Sequence, residues 1–265
     1  MAISNVTSNA STNPLNPTVS CTILIPADVQ AGDLLFAQAT SRNHTATNAV
    51  LRVVDTEGAG NAWIVVTTSA DRTASLWYKY ATANTSSKVA TFSTAINSLT
   101  AGLTIYRGAH TSTPFSNVTV EENVSGNETH AGIFPDSASS MICLGVYNIG
   151  NDNAVANQST ETNPGALLEL WEKLSSGGSD CACVHASQVQ TTDRASTGAF
   201  TWTQTNNTTR SIVWAVPPDV PPPPPAADYI RITNTLQGLG SGLMAAGARI
   251  ECRIVNFYSY MPDAA

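Results

Sequence analysis

Charge is scarce in this sequence. Asp, Glu, Lys and Arg make up 12% of its 265 residues, about half the usual share. Lysine occurs only as Lys79, Lys88 and Lys173. The net charge is −7 and the few cations are dispersed, which argues against a nucleic-acid partner. No apolar run approaches the roughly 18 residues of a membrane-spanning helix. The stretch from Met1 to Ala10 is polar and lacks an apolar run, so no secretory leader is expected there, and no membrane association.

Signatures of chemistry are equally sparse. The four histidines, His44, His110, His130 and His185, stand in no metal-ligand spacing. No Walker loop and no Gly-x-Ser-x-Gly elbow occurs. The five cysteines, Cys21, Cys143, Cys181, Cys183 and Cys252, are an odd number without a leader, which predicts reduced, buried thiols rather than a disulfide framework. Cys181 and Cys183 lack the second ligand pair that a structural zinc requires. Glu169 and Glu172 could flank a glycan, but a spacing of three on a regular strand puts them on opposite faces. Glu121 and Glu122 read as a solvated loop. The expectation is a protein with no catalytic residues, no cofactor and no metal.

What is abundant is Ser, Thr and Asn, set between short apolar runs, a composition that suits strands and turns better than helices. Residues 19–25, 34–40, 63–67, 75–81, 89–92 and 102–107 form a first set of predicted strands, and residues 141–149, 167–174, 181–189, 199–203 and 211–216 a second. The sets resemble each other. Gly32-Asp33-Leu34-Leu35-Phe36-Ala37 can be laid beside Ser140-Met141-Ile142-Cys143-Leu144-Gly145, Trp63 beside Trp171, residues 75–82 beside 181–188, and residues 103–106 beside 211–214. The predicted fold is all-β, an antiparallel jelly-roll-like sandwich with an internal pseudo-repeat. Helical spacing also fits Leu167, Leu170, Trp171 and Leu174, but the repeat favours a strand there.

The pattern breaks at Pro217, Pro218 and the run from Pro221 to Pro225. Extended as polyproline, residues 217–225 span roughly 28 Å at about 3.1 Å per residue. The chain is thus predicted to hold a sandwich body at 1–216, a proline-rich linker at 217–227 and a C-terminal β arm at 228–265. Within the arm, Ile230 and Ile232 alternate with polar residues, as do Ile250, Cys252 and Ile254. A strand pair with one apolar face does not stand alone in water. Pro221, Pro225, Ile230, Ile232, Ile250, Cys252, Ile254, Phe257 and Tyr258 are therefore the expected docking or oligomerisation residues. In the body, Trp77 and Trp202 are the candidates for exposed rings that could stack on a glycan.

Residues 32–37, then Trp63, then Ser75-Leu76-Trp77-Tyr78-Lys79-Tyr80-Ala81-Thr82, then Tyr106-Arg107-Gly108-Ala109 together resemble a β-sandwich module of tailed-bacteriophage virion proteins. In that module a G-D-L-L strand, a W-Y-K-x-A strand and a closing Y-R-G strand recur. The resemblance covers roughly residues 15–216 and implies a non-enzymatic virion component, made in the host cytoplasm and located on the particle. A capsid decoration or cement protein is the leading expectation. It would contact the major capsid protein or a tail component and form a homo-oligomer such as a trimer. The alternative is a tail-fibre or baseplate accessory module binding a host glycan or receptor.

Overall fold

Each main sheet in this chain has a strand of mostly polar residues at one edge, and its longest buried runs lie at its centre. The computed structural model describes residues 3–13, 20–41, 51–57, 59–93, 99–123, 128–149, 154–175, 181–204 and 208–219. All belong to one unit, Met1–Val220. The linker from residue 220 on and the arm lie outside the described residues.

The first half holds β1 (Ser4–Asn13), β2 (Ser20–Leu24), β3 (Leu34–Ser41), β4 (Arg52–Asp55), β5 (Ile64–Thr68), β6 (Ala74–Tyr80), β7 (Val89–Ser93) and β8 (Leu99–Arg107). The second holds β9 (Ser116–Asn123), β10 (Thr129–His130), β11 (Met141–Asn148), β12 (Ala156–Thr160), β13 (Leu168–Leu174), β14 (Ala182–Val189), β15 (Phe200–Thr203) and β16 (Thr209–Val216). Residues 168–174 are a strand, as the repeat predicts. All pairings between strands are antiparallel.

Each half makes a five-stranded and a three-stranded sheet. Their orders are β1-β8-β3-β6-β5 with β2-β7-β4, and β9-β16-β11-β14-β13 with β10-β15-β12. Adding eight to each strand number of the first half gives the second. This is the strand order of a jelly roll, except that the fifth strand of each half has joined the larger sheet beside the sixth. The pseudo-repeat is therefore a property of the topology. It extends to an irregularity: β5 carries a bulge between Val65 and Thr67, and β13 one between Glu169 and Trp171.

Four layers result. An outer core lies between β2-β7-β4 and the first large sheet, and contains Ile23, Phe92, Leu35, Trp77 and Ile105. A middle core lies between the two large sheets, where Leu34, Phe36 and Tyr106 meet Cys143, Tyr147 and Trp214. A third core sets Ile142, Leu144 and Val213 against Phe200 and Trp202. The large sheets are covered on both faces, so β3, β8, β11 and β16 are buried almost throughout. That is why they read as continuous apolar runs, without the alternation of a half-exposed strand.

The structure corrects the residue-by-residue match between the halves. Leu34 pairs with Tyr80 and Tyr106, and Met141 pairs with Val189 and Val216. Leu34 and Met141 both face the middle core, so Leu34 corresponds to Met141 and not to Ile142. A slip of one residue sends every side chain to the wrong face. Likewise Thr67 lies opposite Leu76 where Trp171 lies opposite His185; Trp171 corresponds to Thr67, not to Trp63. The body also continues past residue 216. His110 N–H donates to the Pro217 carbonyl and Asp219 N–H to the Gly108 carbonyl.

Candidate functional site

The two tryptophans expected at the surface are both inside. Trp77 is 4% exposed and Trp202 2%. β6 belongs to a sheet covered on both faces, so the outward-pointing position of Trp77 points into the outer core. On β15, Phe200 and Trp202 together form the inward face. The assembly residues from Pro221 to Tyr258 lie outside the described residues.

Glu169 and Glu172 come together, contrary to the spacing argument. The bulge of β13 inserts one residue between them and restores a common face. Glu169 Oε2 accepts from Gln158 Nε2 at 2.9 Å, and Glu172 Oε1 from the Val155 N–H at 2.7 Å. Partial burial and the neighbouring Glu169 raise Glu172 above the usual carboxylate range, against the opposing Val155 hydrogen bond. Glu121 and Glu122 are strand residues on β9. Glu121 accepts from Ala131 N–H and Glu122 from Ala70 N–H.

Cys21, Cys143, Cys181 and Cys183 are buried and form no disulfide among the described residues. Burial pushes Cys21 up to about 12, with a smaller contribution from Cys181. At neutral pH it is a protonated core residue rather than a nucleophile. His185 is fully buried between the large sheets, with Tyr106 Oη 2.7 Å from Nε2 and the Trp171 indole stacked on its ring.

Most motif residues of the resemblance lie in the cores, but Gly32, Asp33, Lys79 and Arg107 form a turn and ion-pair braces. Asp33, at the start of β3, is 3% exposed and receives a two-pronged contact from Arg107, with Nε to Oδ1 at 2.9 Å and Nη2 to Oδ2 at 2.8 Å. That geometry is the strongest form of the pair. Gly32, just before it, has φ +90, a conformation that only glycine adopts at low cost. A second brace joins the halves. Arg210 on β16 donates to Asp71 in the β5–β6 turn at 2.7 and 3.1 Å. Partial burial opposes ionisation of Asp71, but hydrogen bonds from Ser69, Thr73 and Arg210 outweigh it and lower its pKa.

The densest cluster surrounds Lys79 of β6, which is 1% exposed. Its Nζ donates to Asp55 Oδ2 at 2.5 Å and to Glu57 Oε2 at 2.6 Å, and both carboxylate side chains are almost wholly covered. The Trp63 ring caps the ammonium at 5.3 Å. Glu57 also accepts from the hydroxyls of Thr82 and Thr85. Burial opposes its charge, but hydrogen bonds from Lys79, Thr82, Thr85 and Asn61 prevail and hold it at about 2. Asp55 has the Glu57 N–H on Oδ1 at 2.9 Å besides Lys79 on Oδ2. The cluster ties the outer sheet, through the end of β4, to the large sheet. The sequence singled out Lys79 only as a motif residue. Its partners lie at the end of β4 and in the turn after it, and β4 is a four-residue edge strand with no alternation long enough to register.

Fold and interior together define an all-β protein of paired jelly-roll-like sandwiches, braced by buried ion pairs. No protein-family model matches the chain, and no curated protein or solved structure matches it.

Proposed function

We propose that this chain is a non-enzymatic structural protein of a virion exterior, with capsid decoration as its role. The observation that supports the reading is the work done by the residues behind the family resemblance. Gly32, Asp33, Lys79 and Arg107 all serve turns or clamps that stiffen the body. Such a pattern suits a module selected to withstand load and exposure. In this reading the body faces outward, and the segment beyond residue 220 docks on the major capsid protein or on sister copies. The tail-fibre reading loses support, because its two stacking residues, Trp77 and Trp202, are core residues.

The test is immunogold labelling of particles from a culture producing the protein. Gold over the capsid shell is the expected result. Label confined to the tail would move the protein to the alternative class, and particles without label would end the virion reading.

A further inference from the structure

Lys79, Asp55 and Glu57 form an arrangement capable of covalent chemistry on itself. A primary amine is held 2.5 Å from one carboxylate oxygen and 2.6 Å from a second carboxylate, in a site almost closed to water. The three residues come from different segments, the end of β4, the turn after it and β6, so their meeting is a product of folding. Jelly-roll topology does not require them. By strand register, Lys79 opposite Leu35 corresponds to Gln188 opposite Ile142, and Asp55 opposite Ala90 to Thr160 opposite Phe200. The second half therefore builds the same junction without these charges, and Gln188 is exposed where Lys79 is buried.

We propose that Lys79 and Asp55 condense into an isopeptide bond that joins β6 to β4, with Glu57 as the proton carrier. Lys79 first passes one ammonium proton to Asp55, which gives an amine and a carboxylic acid. The amine lone pair then attacks Asp55 Cγ and forms the new N–C bond. Glu57 takes a second proton from that nitrogen and hands it to the departing hydroxyl. The C–O bond breaks, one water leaves, and Glu57 returns to a carboxylate. Nothing is oxidised or reduced, and no co-reactant is needed. Fixing the partners in contact supplies the effective concentration that this condensation lacks in water. Near-exclusion of water removes the competing hydrolysis.

Asp55 rather than Glu57 is the acceptor for a reason visible in the contacts. Glu57 is held as a carboxylate by hydroxyl donors that remain after the reaction, Thr82 and Thr85. Asp55 has one backbone donor besides the lysine itself. It is the carboxylate with fewer hydrogen bonds to give up, and its charge is the one the reaction removes.

The experiment is the intact mass of the purified full-length chain under denaturing conditions. The expected mass is one water below that of the sequence, after allowance for loss of Met1. In a trypsin digest, cutting at Lys79 should fail, and a branched peptide should join residues 53–72 to 73–88. Glu57→Gln should leave the mass at the full sequence value. Asp55→Asn can react by releasing ammonia instead, and should then yield the same product mass as the natural chain. A natural chain that keeps the full sequence mass overturns the proposal and leaves an ion triad. So does a branch that fragmentation maps to Glu57 rather than Asp55. The decisive measurement is made on the unaltered protein, so a variant that fails to fold does not blunt it.

Discussion

At the scale of single residues, the interior makes a definite statement about pH. Burial alone pulls His185 down to about 3. In an unfolded chain its pKa is about 6.5. Between those values the unfolded state binds a proton that the folded state refuses. Stability is therefore complete above the unfolded pKa and drains as pH falls, by up to about 1.4 kcal/mol per pH unit. His130 acts in the same direction: burial lowers it to about 4, against the opposing charge of Glu121. Glu57, held at about 2, adds its share only below the ordinary carboxylate range. At pH 5 the histidines dominate, and His185 by itself should cost roughly 2 kcal/mol relative to pH 7. Urea midpoints measured at pH 7, 6 and 5 should fall for the natural chain and fall less steeply for His185→Gln. An identical slope in both would remove His185 as the source. The Asp33–Arg107 clamp gives a second prediction. Arg107 is 30% exposed on its side chain, so solvent screening moderates the pair. Arg107→Ala should cost about 1–2 kcal/mol in chemical denaturation. Arg107→Lys should recover only part of it, because an ammonium cannot make the fork.

At the scale of elements, every strand that the sequence concealed is a sheet edge, although the edges β2, β5 and β13 were legible through their own apolar residues. β3, β6, β8, β11, β14 and β16 were all legible, because burial on one or both faces demands apolar residues. β1, β4, β9, β10 and β12 gave no usable signal, and every one of them is a sheet edge. β1 and β9 are written largely in Ser, Thr, Asn and Glu, as edges that must discourage further pairing often are. The site was less legible still. Lys79 was visible within its motif, but Asp55 and Glu57 belong to a short edge strand and its turn, and only tertiary structure brings them to the lysine. The Trp77 expectation failed because alternation tells which side chains share a face, not how many layers cover it. One glycine shows how closely those layers approach. A Cβ on Gly102 of β8 would stand 2.3 Å from the Trp171 indole of β13, and that indole donates to Thr104 Oγ1 at 2.9 Å. Gly102→Ala must push the ring away and strain that hydrogen bond, at about 1–3 kcal/mol. Thermal unfolding should show the loss, with near-ultraviolet circular dichroism reporting the displaced tryptophan.

At the scale of the whole body, the repeat raises the question of whether each jelly roll is a domain. The middle core argues that it is not. Leu34, Phe36, Leu76 and Tyr106 from the first half are fully buried, yet they are covered by residues of the second, among them Cys143, Tyr147 and Trp214. Each side chain of this size contributes about 2 kcal/mol when taken from water. That is a large part of the 5–15 kcal/mol by which a typical domain is stable. The Arg210–Asp71 contact closes the same seam at its rim. A chain ending at residue 112 would keep its outer core intact but leave an entire apolar sheet face in water. It should self-associate or aggregate, and its β3 and β8 amides should exchange faster than in the full body. Light scattering and hydrogen exchange read the two effects separately. The complete body should unfold in one transition, with fluorescence and circular dichroism coincident. A soluble monomer of residues 1–112 with native-like exchange protection would refute this. It would make the middle core a docking interface between two independent domains rather than the centre of one.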